Sequence, residues 1–224
     1  MRRFVRDNGL SLFFGAIFVA ALVGQSFAGM AQFNQQQLAE GMSTVGYGQY
    51  VTSSDFAVDV AENWQSEYLQ FLLYIWATVW LVQKGSTESK ETGEAGKGSD
   101  KDQQVGRYTA ADAPGLLRRG GLSAALYSRS LSLTMGTVFF GSWLAQSVAG
   151  TAAYDQQQLA QRQDPVSWLG YLVTSDFWNR TLQNWQSEFL AVGSMAILSV
   201  YLRQRGSPES KPVGASHEAT GVTG

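Results

Sequence analysis

The chain contains two copies of one sequence pattern, 121 residues apart. Four segments recur in this way: QSFAG (25–29) as QSVAG (146–150), QQQLA (35–39) as QQQLA (156–160), NWQSEYL (63–69) as NWQSEFL (184–190), and QKGSTESK (83–90) as QRGSPESK (204–211). A period of this length is typical of a duplicated folding unit rather than of a solenoid of short repeats. We therefore predict two matched repeats, at residues 1–84 and 122–205.

Each repeat contains two apolar stretches. Residues 10–30 carry no charge and are long enough to cross a hydrocarbon core about 30 Å thick. Residues 64–82 are shorter, and their aromatic start is typical of a membrane interface. Residues 131–149 and 185–202 are the counterparts in the second repeat. The predicted fold class is an all-α membrane protein with four transmembrane helices, arranged as two tandem helical hairpins.

A cleaved signal peptide is the alternative interpretation of the first apolar stretch. Arg2, Arg3 and Arg6 form a charged start, and residues 26–28 resemble a cleavage site. The matching stretch at 131–149 lies in the middle of the chain, where no signal peptide can be. The repeat therefore favours a transmembrane helix in both copies.

The positive charges predict how the helices are oriented. Of the sixteen Lys and Arg residues, all but Arg162 and Arg180 lie before the first apolar stretch, between the second and third stretches, or after the last stretch. Positive residues next to a membrane span mark the cytoplasmic side. Both termini and the central linker are thus expected in the cytoplasm of a bacterium, in a multi-pass protein of its inner (plasma) membrane. Both hairpins then share one orientation and are related by a pseudo-twofold axis along the membrane normal.

The segments outside the hairpins are polar. The linker, residues 85–121, begins with a stretch rich in Gly, Ser and charges, for which we predict flexibility, and the tail, residues 206–224, is predicted to be disordered. Residues 113–130 mix leucines with arginines. That pattern indicates either a short helix on the anionic inner leaflet or an ordinary charged lead-in to the third span.

Helices are predicted to continue beyond the outer membrane face. Residues 30–39 are mostly good helix formers, and Gly41 follows where a terminating glycine is favoured. The segments Ser53-Ser54-Asp55 and Thr174-Ser175-Asp176 consist of N-cap residue types and precede the returning helices.

Small residues recur every four positions along the first helix of each repeat. This spacing lets helices approach closely in lipid and predicts a helix-packing seam, with a substrate groove as the alternative. The predicted seam consists of Ala20, Gly24, Ala28, Gly141, Ala145 and Ala149.

The Asn-Trp-Gln-Ser-Glu segment is the most distinctive motif. Trp64 and Trp185 are predicted interface anchors. Asn63 and Glu67 are four residues apart and share a helix face, and a carboxylate at that depth needs water or a polar partner. The candidate functional or clamp residues in the two repeats are Gln25, Ser26, Asn63, Glu67, Gln146, Ser147, Asn184 and Glu188. Two roles stay open: an interhelical hydrogen-bond clamp, or a paired carboxylate site that binds a cation or passes a proton.

One pair of equivalent positions differs in charge. Asp59 in the first repeat aligns with Arg180 in the second. Equivalent positions that face a pseudo-twofold axis lie close together, so we predict that these two side chains approach each other.

Composition excludes several function classes. The chain has no cysteine, and its single histidine, His217, lies in the polar tail. We therefore predict no catalytic set, no cofactor-binding residues and no metal site, and expect no enzyme activity. The net charge of −2 gives no indication of a nucleic-acid partner.

Three segments carry a resemblance to a known family: the repeated NWQSE, the start Arg2-Arg3-Phe4, and RQRGSPESKP at 203–212. Over nearly its whole length the chain resembles a family of bacterial membrane proteins known only as a domain of unknown function. The resemblance implies a membrane location and adds no substrate or active residue. We expect a non-enzymatic structural or interaction protein, with the lipid bilayer and either a second copy or another membrane protein as partners. The alternative is a small oligomeric ion or solute conduit that uses Glu67 and Glu188.

Overall fold

The chain is helical throughout its regular structure. A computed structural model describes residues 2–224, and within that range it contains nine α-helices and no β-strand. The helices are α1 (Arg2–Asp7), α2 (Gly9–Ala39), α3 (Tyr47–Val51), α4 (Ser54–Trp80), α5 (Gly115–Arg118), α6 (Gly121–Tyr127), α7 (Ser130–Ala160), α8 (Trp168–Tyr171) and α9 (Ser175–Tyr201). The all-α class predicted from the sequence is confirmed.

The long helices have the same bounds in both halves of the chain. Helices α2 and α7 both contain 31 residues, and α4 and α9 both contain 27. Each later helix begins and ends 121 residues after the earlier one. The short helices α3 and α8 begin at the same offset.

Helix α2 is long and apolar enough to cross a membrane. Its most apolar window of 18 residues has a mean hydropathy of 1.9. None of the other helices in residues 2–224 reaches the same length and hydropathy together.

Local signals at the helix ends explain the bounds of the long helices. After α2, Gly41 adopts φ +74°, and the N–H groups of Gly41 and Met42 bond to the carbonyls of Leu38 and Gln37. This is a Schellman motif, and it confirms the predicted termination by Gly41. At the start of α4, the Ser53 hydroxyl accepts from the backbone N–H of Phe56 at 3.3 Å. The predicted N-cap is therefore confirmed.

The chain divides into two compact units, and each contains parts of both repeats. The first unit comprises residues 1–61 and 144–177, and the second comprises residues 62–143 and 178–224. The units thus differ from a division at the repeat boundaries.

The second unit includes segments for which the sequence indicated flexibility or disorder. Ser86 is 2 % exposed in the linker, and Lys211 is 1 % exposed in the tail. The tail also bonds to the linker, because the Gly85 N–H donates to the Thr220 hydroxyl at 2.8 Å and the Gly221 N–H donates to the Ser86 carbonyl at 2.9 Å. Polar side chains and backbone groups thus make contacts between the linker and the tail, and the predicted flexibility and disorder of these segments stay predictions.

A lysine bonds to backbone carbonyls in each of two equivalent loops, residues 85–96 and residues 206–217, which we name the first and second lysine loops. Lys211 donates to the carbonyls of Ser216, His217 and Ala219 at 3.0–3.2 Å. Lys90 is half-buried and donates to the carbonyl of Gly96. Burial lowers the pKa of Lys211, and the nearby Arg203 lowers it further.

Candidate functional site

A buried tyrosine closes the turn between the long helices in each copy. The first hairpin loop (residues 40–53) places Tyr50 at 2 % exposure, and the second (residues 161–174) places Tyr171 at 0 %. Each ring covers a glycine of the preceding helix. A Cβ atom at Gly150 would lie 2.6 Å from the Tyr171 hydroxyl, and one at Gly29 would collide with Tyr50. Only glycine admits these rings without a shift of the ring or the helix.

The predicted site residues Ser26 and Ser147 belong to the same closure. The Ser26 hydroxyl lies 2.9 Å from the Tyr47 hydroxyl, and the Ser147 hydroxyl accepts from the Trp168 indole N–H at 3.0 Å. Both serines are buried. They therefore tie the first long helix of each repeat to the short helix of its own hairpin loop.

A second polar anchor fixes the start of each short helix. The Asn34 amide accepts from the Val45 N–H at 2.7 Å and donates to the Val45 carbonyl at 3.0 Å. In the other copy, the Asp155 carboxylate accepts from the Val166 N–H at 2.8 Å. Side chains thus take over hydrogen bonds that the loop backbone cannot make with itself.

Burial and nearby carboxylates both shift the pKa of Tyr50, the tyrosine of the first hairpin loop. Burial raises the pKa of Tyr50 above its usual value, and the nearby Asp59 and Asp55 carboxylates raise it further. The phenol therefore stays neutral at physiological pH.

The repeated Asn-Trp-Gln-Ser-Glu segments lie in the second unit and are used differently in the two copies. The Trp185 indole N–H donates to the Gln65 side-chain oxygen at 2.8 Å, and Gln65 is 0 % exposed. The equivalent residues, Trp64 and Gln186, are both exposed. The motif therefore contributes a buried contact between the repeats through Trp185 and Gln65.

An apolar cluster lies next to that contact. Leu69 and Leu72 of α4 pack with Phe139 of α7, and Trp143 and Trp185 pack against them. The Trp143 and Trp185 rings lie 6.2 Å apart. Helices α4, α7 and α9 thus share one core in the second unit.

The candidate carboxylates lie outside that cluster. Glu67 is exposed, whereas Glu188 is half-buried, and the two are close enough to repel each other electrostatically. Asn184 is half-buried and donates to the Arg180 carbonyl at 2.9 Å, whereas Asn63 is exposed. The two glutamates therefore lie within electrostatic range of each other, and Glu67 is open to solvent.

The glutamines proposed as clamp partners differ in burial. Gln25 is half-buried and Gln146 is fully buried, both in the first unit. The clamp between the glutamates and these glutamines stays a prediction. Trp64 is 42 % exposed and Trp185 half-buried, and their role as interface anchors stays a prediction as well.

The predicted small-residue seam has few neighbours within the chain. Ala20, Ala28 and Ala145 are exposed, and Ala149 is half-buried. A Cβ atom at Gly24 or Gly141 would meet no atom within 4 Å. The helix-packing seam therefore stays a prediction, and the close contacts at the next position, Gly29 and Gly150, are made by the loop tyrosines.

Arg180, at the position where the two repeats differ in charge, forms an ion pair. Arg180 pairs with Glu62 of the first repeat at 3.0 Å, and Glu62 lies almost one helical turn after Asp59. The predicted approach of Asp59 and Arg180 stays a prediction. Sequence reasoning missed Glu62, although its position on the face shared by residues 59 and 62 was readable from the helix period.

Several residues of the site were missed although the repeat contained a signal for them. Tyr50 and Tyr171, and Gly29 and Gly150, are equivalent pairs at the same offset. An aromatic residue and a glycine that both recur indicate a ring placed against a backbone. Gln65 was missed because its equivalent, Gln186, is exposed. The repeat therefore gives no signal that Gln65 is buried.

Residues 2–224 contain no group of three or more His, Asp or Glu side chains that is arranged to hold a metal ion.

Comparison with known families identifies the chain at the level of a family. The family model described as Domain of unknown function (DUF6766) matches residues 1–222. The chain belongs to this family. No curated protein and no solved structure matches the chain. Membership of DUF6766 brings no activity with it, so function is argued from the residues.

Proposed function

We propose that this DUF6766 protein is a non-enzymatic structural or interaction protein of a bacterial inner membrane. Its four long helices cross the bilayer as two hairpins of the same orientation, related by a pseudo-twofold axis along the membrane normal. Both termini and the linker lie in the cytoplasm, and the hairpin loops lie outside. These outer ends are offered to a partner or to a second copy.

The observation that carries the membrane placement is exposed apolar surface on all four long helices. Within the predicted spans, many large apolar side chains are 40–74 % exposed, and water-soluble proteins rarely expose continuous apolar patches of this kind. Representative residues are Phe13, Phe14 and Ile17 of α2, Phe71 and Trp76 of α4, Leu133 and Phe140 of α7, and Leu190 and Ile197 of α9.

The interaction role is supported by how the repeated residues are used. Ser26, Ser147 and the two loop tyrosines hold the hairpins closed, which is a structural task. The small residues around Gly24 and Gly141 have open space beside them. In lipid, such faces pack against helices of another protein or of another copy.

Single cysteines test the topology, because the chain has none of its own. With Gly48→Cys and Ser99→Cys in separate variants, a membrane-impermeant thiol reagent should label position 48 in intact cells and position 99 only after lysis. Labelling of position 99 from outside would overturn the orientation. Release of the protein from membranes by alkaline carbonate would overturn the membrane placement.

A conduit is the second candidate, and the proximity of Glu67 and Glu188 favours it. Two carboxylates that repel each other are stabilised by a cation between them. Ion flux into liposomes that disappears in Glu67→Gln, with unchanged thermal stability, would support the conduit. Under the clamp, Glu67→Gln should be mild and Glu67→Leu should lower stability by about 1–3 kcal/mol. Absence of flux in the unaltered protein leaves the interaction role as the better account.

A further inference from the structure

The segment between the repeats contains a positively charged cleft. Residues 105–129 fold as a 3-10 turn, Gly106–Tyr108, followed by α5 and α6. They enclose an open cleft of about 730 Å³, and Arg118 and Arg129 are its only charged lining residues. Gly120 and Gly121 join the two helices with φ values of +69° and +56°. These left-handed conformations favour glycine and let the chain reverse next to the cleft.

The arginines of this segment have no acidic partners. The segment contains Arg107, Arg118, Arg119 and Arg129 but only one acidic residue, Asp112. All four arginines are exposed, and among the described residues none forms an ion pair with a carboxylate.

Their hydrogen bonds leave most donors available. Arg118 donates to the Ala111 carbonyl at 3.3 Å, and Arg129 donates to the Ala125 carbonyl at 3.1 Å. Arg107 donates to the Tyr108 hydroxyl at 2.7 Å. Because a guanidinium group carries five N–H donors, each arginine retains donors for an anion.

Exposed leucines accompany these charges. Leu122 is 76 % exposed and Leu126 is 51 % exposed, and they are four residues apart on one face of α6. Leu116 of α5 is 48 % exposed. A soluble phosphate compound would satisfy the arginines and leave the leucines in water. A phospholipid satisfies both, since its phosphate meets the guanidinium groups and its acyl chains meet the leucines.

We propose that residues 105–129 form a binding site for anionic phospholipid headgroups. This inference rests on the membrane placement proposed above, because the predicted span at 131–149 follows the segment directly and holds it at the bilayer surface. The phosphate occupies the cleft beside Arg118 and Arg129, and Leu122 and Leu126 enter the upper part of the acyl region. The linker is thereby pinned to the anionic leaflet.

The test uses the full chain with one reporter. The variant Leu122→Cys carries an environment-sensitive fluorophore and is reconstituted in nanodiscs of phosphatidylcholine with increasing fractions of phosphatidylglycerol. The emission should move to shorter wavelength as phosphatidylglycerol is added. In Arg118→Gln/Arg129→Gln, the apparent affinity for the anionic lipid should fall about fivefold for each arginine.

A matched control separates a site from general charge. Lys97→Gln/Lys101→Gln removes two exposed linker cations that do not line the cleft, and it should leave the response unchanged. An equal loss of apparent affinity for phosphatidylglycerol in both double variants would overturn the proposed site. An emission that does not depend on phosphatidylglycerol in the reporter variant with all its arginines would also overturn it.

Two further outcomes are decisive. Inorganic phosphate added at constant ionic strength should not reverse the emission shift, and reversal would mean a site for free phosphate rather than for lipid. Failure of the chain to enter nanodiscs would overturn the membrane placement and this inference together. Entry without a lipid response overturns this inference alone. Unchanged thermal unfolding of the arginine variant shows that the fold is intact.

Discussion

The two hairpin loops hold the same backbone with different side chains. Ser26 bonds to a tyrosine in the first loop, whereas Ser147 bonds to a tryptophan in the second. The loops also differ at the helix end, where Gly41 and Arg162 both adopt a left-handed conformation with φ of +74° and +60°. The comparison teaches that equivalent positions in the two loops make equivalent contacts through different chemical groups.

The two lysine loops use the same type of contact but differ in how many carbonyls the lysine reaches and in how far it is buried. Lys211 has three carbonyl partners and is almost fully buried, whereas Lys90 has one and is half-buried. The second loop is therefore held more firmly by its lysine than the first.

Loss of a loop tyrosine should have the largest effect. Tyr171→Ala should lower the free energy of unfolding by about 3–5 kcal/mol because it leaves a cavity over Gly150. Tyr50→Ala should cost a similar amount if the loops are equivalent. Reversible unfolding in detergent micelles measures both. Val173→Ala, in the same loop but 80 % exposed, is the control and should change little. A cost below that of the control at either tyrosine would show that its ring does not close the loop.

Removal of the buried lysine should come next. Lys211→Ala should cost about 3 kcal/mol because buried carbonyls lose their donor. Lys90→Ala should cost about 1 kcal/mol, since it frees a single carbonyl. Unfolding measurements with limited proteolysis of the tail distinguish them, and Lys97→Ala serves as the exposed control. Equal costs for the two loops would contradict the difference in burial.

The tyrosine hydroxyls offer a finer comparison. The Tyr171 hydroxyl donates to the Asp176 carboxylate at 2.9 Å, whereas the Tyr50 hydroxyl bonds to no described residue. Tyr171→Phe should therefore cost about 1.5–3 kcal/mol, the range for a hydrogen bond to a charged group. Tyr50→Phe serves as the matched variant and should cost clearly less. If Tyr50→Phe proves the more costly of the two, the asymmetry between the loops is reversed.

The smallest effect concerns the helix ends. Arg162→Gly should raise the free energy of unfolding by about 0.5–1 kcal/mol, because glycine adopts positive φ without the steric cost of a side chain. Gly41→Arg should lower it by a similar amount. Thermal unfolding of the two single variants measures both changes in the free energy of unfolding. A destabilised Arg162→Gly would mean that the arginine side chain makes contacts worth more than the backbone strain.

Much of the helical architecture was predictable from short stretches of sequence. Gly41 and Ser53 act on their nearest neighbours, so their effect on helix ends needs no tertiary information. The contacts of the segments around Ser86 and Lys211 were not predictable, because composition does not reveal that the linker and the tail bond to each other. Similarly, the recurrence of small residues does not reveal that a tyrosine of the hairpin loop covers Gly29 in one copy and Gly150 in the other.

The site was predictable in part. Ser26 and Ser147 were selected as neighbours of the candidate glutamates, which stays a prediction, and their partners in the structure, Tyr47 and Trp168, differ too much for the repeat to reveal them. Burial also differs between equivalent residues, as Gln65 and Gln186 show. The Asn-Trp-Gln-Ser-Glu motif is identical in the two copies, but the residues that surround it differ. Its side chains are therefore buried to different extents.

The sequence by itself determined the helical class and the signals at the ends of the long helices, because these depend on spacing and on contacts between near neighbours. Only the tertiary structure decided which copy of a motif is buried and which polar groups the two lysine loops contact. Such properties depend on residues far apart in the chain, and the free energy of burying a polar group depends on the partner it finds there.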